Sequence, residues 1–401
     1  MNKASFYLSF LLIFIFYLSF NVLSGYIKIY VILSLFLISL VSFVQYYKKI
    51  INPQFALLSL YAIIVLFNSF TGDEYLTFTK SLLDILYLFV PFAMLFIYIG
   101  TKDYKRLKML LIFILFISFI LSITSIPQLY ADPMLLREEF KEEDGALAAI
   151  YARRWLSTYG KAHSLPFIFP PLVYIIKNSI NNNKRKILFF LFFLIYFMFI
   201  LLSSATGAIL ITVFAIGVSF LIRTNKSIKY NLLMLFLISL PALLLLNNDI
   251  LYYSLDMIQP LFRGSSTYNK INLIKLFLEN DSLEGGFGVR NNLHGISWNT
   301  FLDNFLLGTN KDSEIGHHSF FLDRLALLGM VGFIPLILFL LSYVRKIYNI
   351  LNKTKLYYLV GVFSYFLMFS IKNPFSFEMW LYALFVLPGL CFYSETLLNK
   401  K

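Results

Sequence analysis

Thiols and charges are both scarce in this chain. A single cysteine, Cys391, among 401 residues excludes an internal disulfide framework and reads as a packing residue. Charged residues make up 14% of the sequence, against about a quarter in ordinary soluble domains. Hydrophobic residues reach 59% and the mean hydropathy is +0.76, which together exclude a soluble globular fold. No Asp-x-Asp sequence occurs, so one common way of holding a divalent cation is missing. A small-x-small cleavage site is also lacking after the first apolar stretch. Asn21-Val22-Leu23-Ser24-Gly25 leads straight into another apolar run, which predicts a retained span rather than a removed leader.

What the sequence does contain is a succession of apolar runs. They fall at 6–22, 27–44, 55–70, 82–99, 107–126, 165–176, 187–203, 207–222, 232–246, 319–344, 356–371 and 379–397. A helix needs roughly 20 residues to cross a hydrocarbon core of about 30 Å, and most of these runs approach that length. They are continuous rather than alternating, which predicts helices and not a β-barrel. The expected fold is an all-α polytopic membrane protein of about twelve transmembrane helices, with residues 1–401 forming one membrane domain. Run 165–176 is the weakest, being short and carrying Pro166, Pro170 and Pro171.

The net charge of +13 is arranged as a topology signal, not as a nucleic-acid footprint. Every second connection is basic: Lys48-Lys49, Lys105-Arg106, Lys184-Arg185-Lys186, Arg223 with Lys226, and Arg345-Lys346. By the positive-inside rule these connections and both termini are cytoplasmic. The opposite side then holds two long loops, 127–164 and 248–318. It also holds His163, His294, His317 and His318, together with Trp155, Trp298 and Trp380.

Imidazole is the side chain whose unperturbed pKa lies nearest neutrality. His317-His318, where loop 248–318 turns into an apolar run, therefore suggest a proton acceptor at the membrane surface. In loop 127–164, Arg153-Arg154 beside Trp155 offers two planar forks of donors suited to phosphate oxygens. The alternative is that one arginine pairs with the acids between Glu138 and Asp144 while the other snorkels to headgroups. Loop 248–318 supplies Arg263 and Arg290. Asp84, Asp323, Arg324, Lys372 and Glu378 lie near the outer ends of spans, where charge usually faces a polar interior, and are expected to floor an outward-opening cavity. The plainer reading makes Asp323 and Arg324 a structural pair and Lys372-Asn373-Pro374 a helix end.

The order of these features carries a resemblance. Arg290 precedes Trp298, a short apolar stretch ends in Leu307-Gly308, and a brief polar excursion follows. Then His318-Ser319-Phe320-Phe321-Leu322 enters a helix with Gly329-Met330-Val331-Gly332. Over roughly Gly288 to Pro335 this resembles the O-antigen polymerase and O-antigen ligase superfamily, bacterial inner-membrane glycosyltransferases of the C-type architecture. The resemblance implies a periplasmic active site and transfer of a glycan from undecaprenyl pyrophosphate to a hydroxyl of another lipid-linked glycan. It assigns His318 to the family histidine and Arg290 to the loop arginine. His317 has no counterpart and reads as a surface or capping residue; His163 and His294 read as ordinary interfacial residues.

The chain departs from the family at Leu202-Ser203-Ser204-Ala205-Thr206-Gly207, where many members carry a Ser-Arg pair and no arginine stands here. Pyrophosphate binding then falls to Arg153, Arg154 or Arg263. Because pyrophosphate is already a competent leaving group, a base at the acceptor hydroxyl and fixed positive charge suffice, and neither metal nor other cofactor is expected. The implied partners are an undecaprenyl-pyrophosphate-linked oligosaccharide, membrane lipids and a chain-length regulator, with no nucleic acid among them.

Other readings remain open at this point. A ligase would use lipid A core as acceptor, although Phe320-Phe321-Leu322-Asp323-Arg324 looks more like the polymerases. A flippase for lipid-linked oligosaccharide suits the span number, although transporters tend to place polar breaks near the midplane rather than at one face. Asp312-Ser313-Glu314 beside the histidines could offer metal ligands, or could be a solvated loop.

Overall fold

Apolar runs in lipid must satisfy their own backbone groups, and the described runs do so as helices. The computed structural model describes residues 25–71, 75–132, 157–178, 183–203, 205–222, 286–372 and 376–398. Short pieces between 7 and 13, at 135–136 and between 252 and 275 are also described. No strand occurs among the described residues. In chain order the helices are α1 (Gly25–Ile50), α2 (Pro53–Thr71), α3 (Tyr75–Thr101), α4 (Tyr104–Ala131), α5 (Tyr159–Ser164), α6 (Phe169–Asn178), α7 (Asn183–Leu202), α8 (Thr206–Leu221), α9 (Gly286–Asp303), α10 (Phe320–Ile350), α11 (Lys355–Ile371), α12 (Phe377–Leu381) and α13 (Leu387–Leu398).

Five segments are long and apolar enough to cross a membrane: Pro53–Phe70, Lys80–Thr101, Tyr104–Ala131, Phe320–Ile350 and Phe377–Glu395. Tyr30–Val41, Lys186–Leu202, Thr206–Leu221 and Lys355–Ile371 are shorter apolar helices. The protein is therefore an all-helical, multi-pass membrane protein. The expected run 232–246 and most of 6–22 lie outside the described residues.

Burial separates centre from periphery. The window Phe377–Glu395 is 100% buried, whereas Pro53–Phe70 is 22% buried and exposes Leu60, Ile63, Phe67 and Phe70, an apolar face suited to lipid. The weak run 165–176 is also central. A 3₁₀ turn, Leu165–Ile168, joins α5 to α6, and Pro170 and Pro171 stand in the first turn of α6, where missing N–H groups cost least. A π-helical turn, Tyr382–Val386, joins α12 to α13, and Tyr382 Oη meets Ser118 Oγ of α4 at 2.5 Å. Cys391 is buried in α13, as a packing residue would be.

The ends read as basic carry matching caps. Asp103 accepts from the Arg106 backbone N–H at 3.3 Å and from its guanidinium at 3.0 Å, starting α4. Lys177 Nζ donates to the carbonyls of Phe220 at 3.0 Å and Ile222 at 2.9 Å, placing a cation at the C-terminus of α8.

Candidate functional site

The N-terminal part of α10 departs from the continuous helix expected through Gly329. Gly329 has φ 57° and ψ −168°, which breaks the helix about 14 Å from its start. The backbone groups released by the break pair with residues 305–310. Thr309 N–H donates to Ala326 O at 2.9 Å and Asn310 N–H to Leu327 O at 3.2 Å. Met330 N–H donates to Phe305 O at 3.0 Å and Val331 N–H to Leu306 O at 3.1 Å. Two glycines make the approach possible. A Cβ on Gly308 would lie 2.2 Å from Leu327 O, and one on Gly329 would lie 2.3 Å from Leu306 O. Sequence periodicity missed this seam because its partners are main-chain groups some twenty positions apart.

The second departure is α9, an 18-residue helix inside what the sequence presents as loop 248–318. It packs on α10 through a hydrogen-bonded lock. Ser297 Oγ, fully buried, donates to Asp323 Oδ1 at 2.6 Å and accepts from Gly316 N–H at 2.9 Å. Ser319 N–H donates to Asp323 Oδ2 at 3.2 Å. Thr300 Oγ1 donates to Glu314 O at 2.8 Å. Asp323 is 2% exposed, so its carboxylate has exchanged water for these donors.

The lock fixes the turn that carries the histidines. Gly316 is buried and has no room for a Cβ, which would stand 2.0 Å from Leu293 O of α9. His317 is exposed and holds φ 58°, a left-handed conformation rare outside glycine. His318 is half-buried. The cap of α10 is Ser319, whose Oγ accepts from Leu322 N–H at 3.4 Å, so His317 keeps only the surface half of its plainer reading. Arg290 lies two helical turns before Ser297 on α9. Arg153, Arg154 and Arg263 lie outside the described residues.

Of the rim charges, Arg324 pairs with Asp84 of α3 and lies over the Phe320 ring at 5.5 Å. Together with Lys80, Ser81 and Asn310 they line a cavity of about 60 Å³ between α2, α3 and the break. Glu314, proposed above as a metal ligand, accepts from Thr309 Oγ1 and from Lys311 Nζ at 2.9 Å, and both bonds hold its pKa below the usual carboxylate value. No three His, Cys, Asp or Glu side chains converge to hold a metal ion among the described residues.

A second polar group joins Glu378, named above among the charges near span ends, to a lysine that sequence did not single out. Lys161, fully buried in α5, lies beside buried Glu378. Glu378 Oε2 accepts from Thr158 Oγ1 at 2.5 Å. Burial lowers the Lys161 pKa to about 8, against the raising influence of Glu378. His163 is buried, and its Nδ1–H donates to Tyr159 O at 2.9 Å. A lysine two residues from a histidine was the available signal, obscured because the preceding loop is rich in charge.

Fold and site together define a multi-pass helical membrane protein with a main-chain seam at the break of a helix. No family model matches the chain, and no curated protein matches it.

Proposed function

We propose that this protein is a polysaccharide polymerase of the O-antigen type in a bacterial inner membrane, with both termini cytoplasmic and its site on the periplasmic face. It transfers a growing glycan from undecaprenyl pyrophosphate to the non-reducing-end hydroxyl of another undecaprenyl-pyrophosphate-linked repeat unit. His318 takes the proton of the acceptor hydroxyl as its oxygen bonds to the anomeric carbon. The bond from that carbon to the pyrophosphate oxygen breaks, and the lipid pyrophosphate leaves with the electron pair. Arg290, with Arg153, Arg154 and Arg263, neutralises the departing charge.

The observation that supports this reading best is the Ser297–Asp323 lock. It ties the helix that carries Arg290 to the turn that carries His318, so the proposed cation and base stand on connected elements. The test is incubation of purified protein with one defined polyprenyl pyrophosphate repeat unit, without added metal, followed by product separation on a gel. A ladder of lengthened glycans is expected. Three results would overturn the reading: transfer only to lipid A core, a requirement for a divalent ion, or movement of glycolipid across vesicles with no lengthening.

A further inference from the structure

Irregular backbone at membrane depth is tolerated where it lines a polar cavity, and broken helices recur at binding sites for that reason. The break in α10 fits this pattern. Leu327 and Leu328 end its outer half, Asn310 ends the segment that plugs it, and all three line the cavity of about 60 Å³. One water needs roughly 10–15 Å³ of such space, so the cavity admits several water-sized groups.

The polar lining indicates what those groups are. Lys80 and Arg324 are donors. Asp84 is an acceptor, already drawn to Arg324 through Oδ2. Asn310 Oδ1 is buried and has no hydrogen-bond partner among the described residues, an arrangement that is unfavourable unless a ligand donates to it. Asn310 also holds φ 57°, and its N–H is fixed on Leu327 O, so the side chain extends from a strained, anchored position. A phosphodiester presents acceptors only and would set them against Asp84 and Asn310 Oδ1. A hydroxyl both accepts and donates, and vicinal hydroxyls on one ring can meet donors and acceptors side by side. Val65, Leu327 and Leu328 supply an apolar wall for the C–H face of such a ring.

We propose that the pocket at the α10 break is a pyranose subsite, in which Asn310 and Asp84 accept from ring hydroxyls and Lys80 donates to them. The ligand class rests on the glycan-transfer reading, and the subsite adds a place where the repeat unit is selected.

The test measures binding without turnover. Full-length protein in lipid nanodiscs is titrated with the methyl glycosides of glucose, galactose, rhamnose and N-acetylglucosamine, observed by saturation-transfer NMR, with inorganic phosphate as competitor. At least one glycoside is expected to bind, with affinity about tenfold weaker in Asn310→Gly, a change that suits the left-handed backbone and removes the side-chain amide. Lys80→Gln, at the exposed mouth, is expected to weaken binding severalfold and serves if Asn310→Gly does not fold. The proposal is overturned if no glycoside binds, if neither variant weakens binding, or if phosphate displaces the sugar. Because no lengthening is measured, a positive result would stand even if the ladder experiment failed.

Discussion

The two halves of α10 are built on different rules. Beyond Gly329 the helix continues unbroken to Ile350 and packs by rings. Phe339 meets Phe92 edge-on at 5.5 Å, Tyr343 Oη donates to Leu384 O at 2.5 Å, and Lys346 Nζ sits over the Phe96 ring at 4.6 Å. Before Gly329 the same helix is held by main-chain bonds to residues 305–310, by a buried carboxylate and by the Arg324–Asp84 pair. Dispersion and area stabilise the first half, directional bonds position the second. A half built to pack can absorb small changes, whereas a half built to position cannot.

The sharpest way to break this contrast is Gly329→Val. Left-handed backbone and overlap with Leu306 O together should cost more than about 4 kcal/mol, so the protein should fail to accumulate in membranes by immunoblot. Gly217→Ala, whose Cβ would meet nothing within 4 Å, should accumulate normally. Next in size, His318→Ala should lower glycan lengthening by about 10²–10⁴-fold while leaving the amount of folded protein unchanged in size-exclusion chromatography. Polymer of normal length in that variant would remove His318 as the base.

Asp323→Asn keeps the shape of the lock but loses its charge. About a tenfold fall in kcat with little change in KM is expected, the signature of lost positioning. A change in KM alone would make the lock a binding device. A smaller effect concerns Lys161. Its folded pKa, about 8, lies below that of an unfolded lysine, so between these values the unfolded chain binds more protons and stability rises with pH. The melting temperature in detergent should climb by a few degrees from pH 8 to pH 10, and less in Lys161→Met. Equal slopes would show that Lys161 does not titrate differently on folding. Last, Tyr343→Phe removes one bond from the packed half and should cost about 1 kcal/mol in thermal unfolding, with lengthening unaffected.

The same contrast explains what sequence made legible. Spans such as 55–70 and 107–126 were readable because hydrophobicity over about twenty residues is a local property, and α2 and α4 fall on them. The helix α9 was not. Gly286, Gly288, Gly295 and three asparagines give it poor intrinsic propensity, and it is held by Ser297 and Thr300 contacts to residues 14 or more positions further along the chain. The break at Gly329 was hidden likewise, since a glycine inside an apolar run signals permission for a left-handed residue without signalling its use. His318 stood out by chemistry, and its turn is described; the arginines at 153, 154 and 263 were equally visible by chemistry but lie outside the described residues. Lys161 and Glu378 are 217 positions apart, so only packing could bring them together.

The seam between 305–310 and 326–331 also bears on mutational tolerance. Its four bonds join main chain to main chain, while the side chains of Phe305, Leu306 and Leu307 point outward and are exposed. Those three positions can drift in sequence, provided they remain apolar, without disturbing the join. Gly308 and Gly329 cannot drift, and neither can be repaired by changing the other, because each faces a carbonyl rather than a side chain.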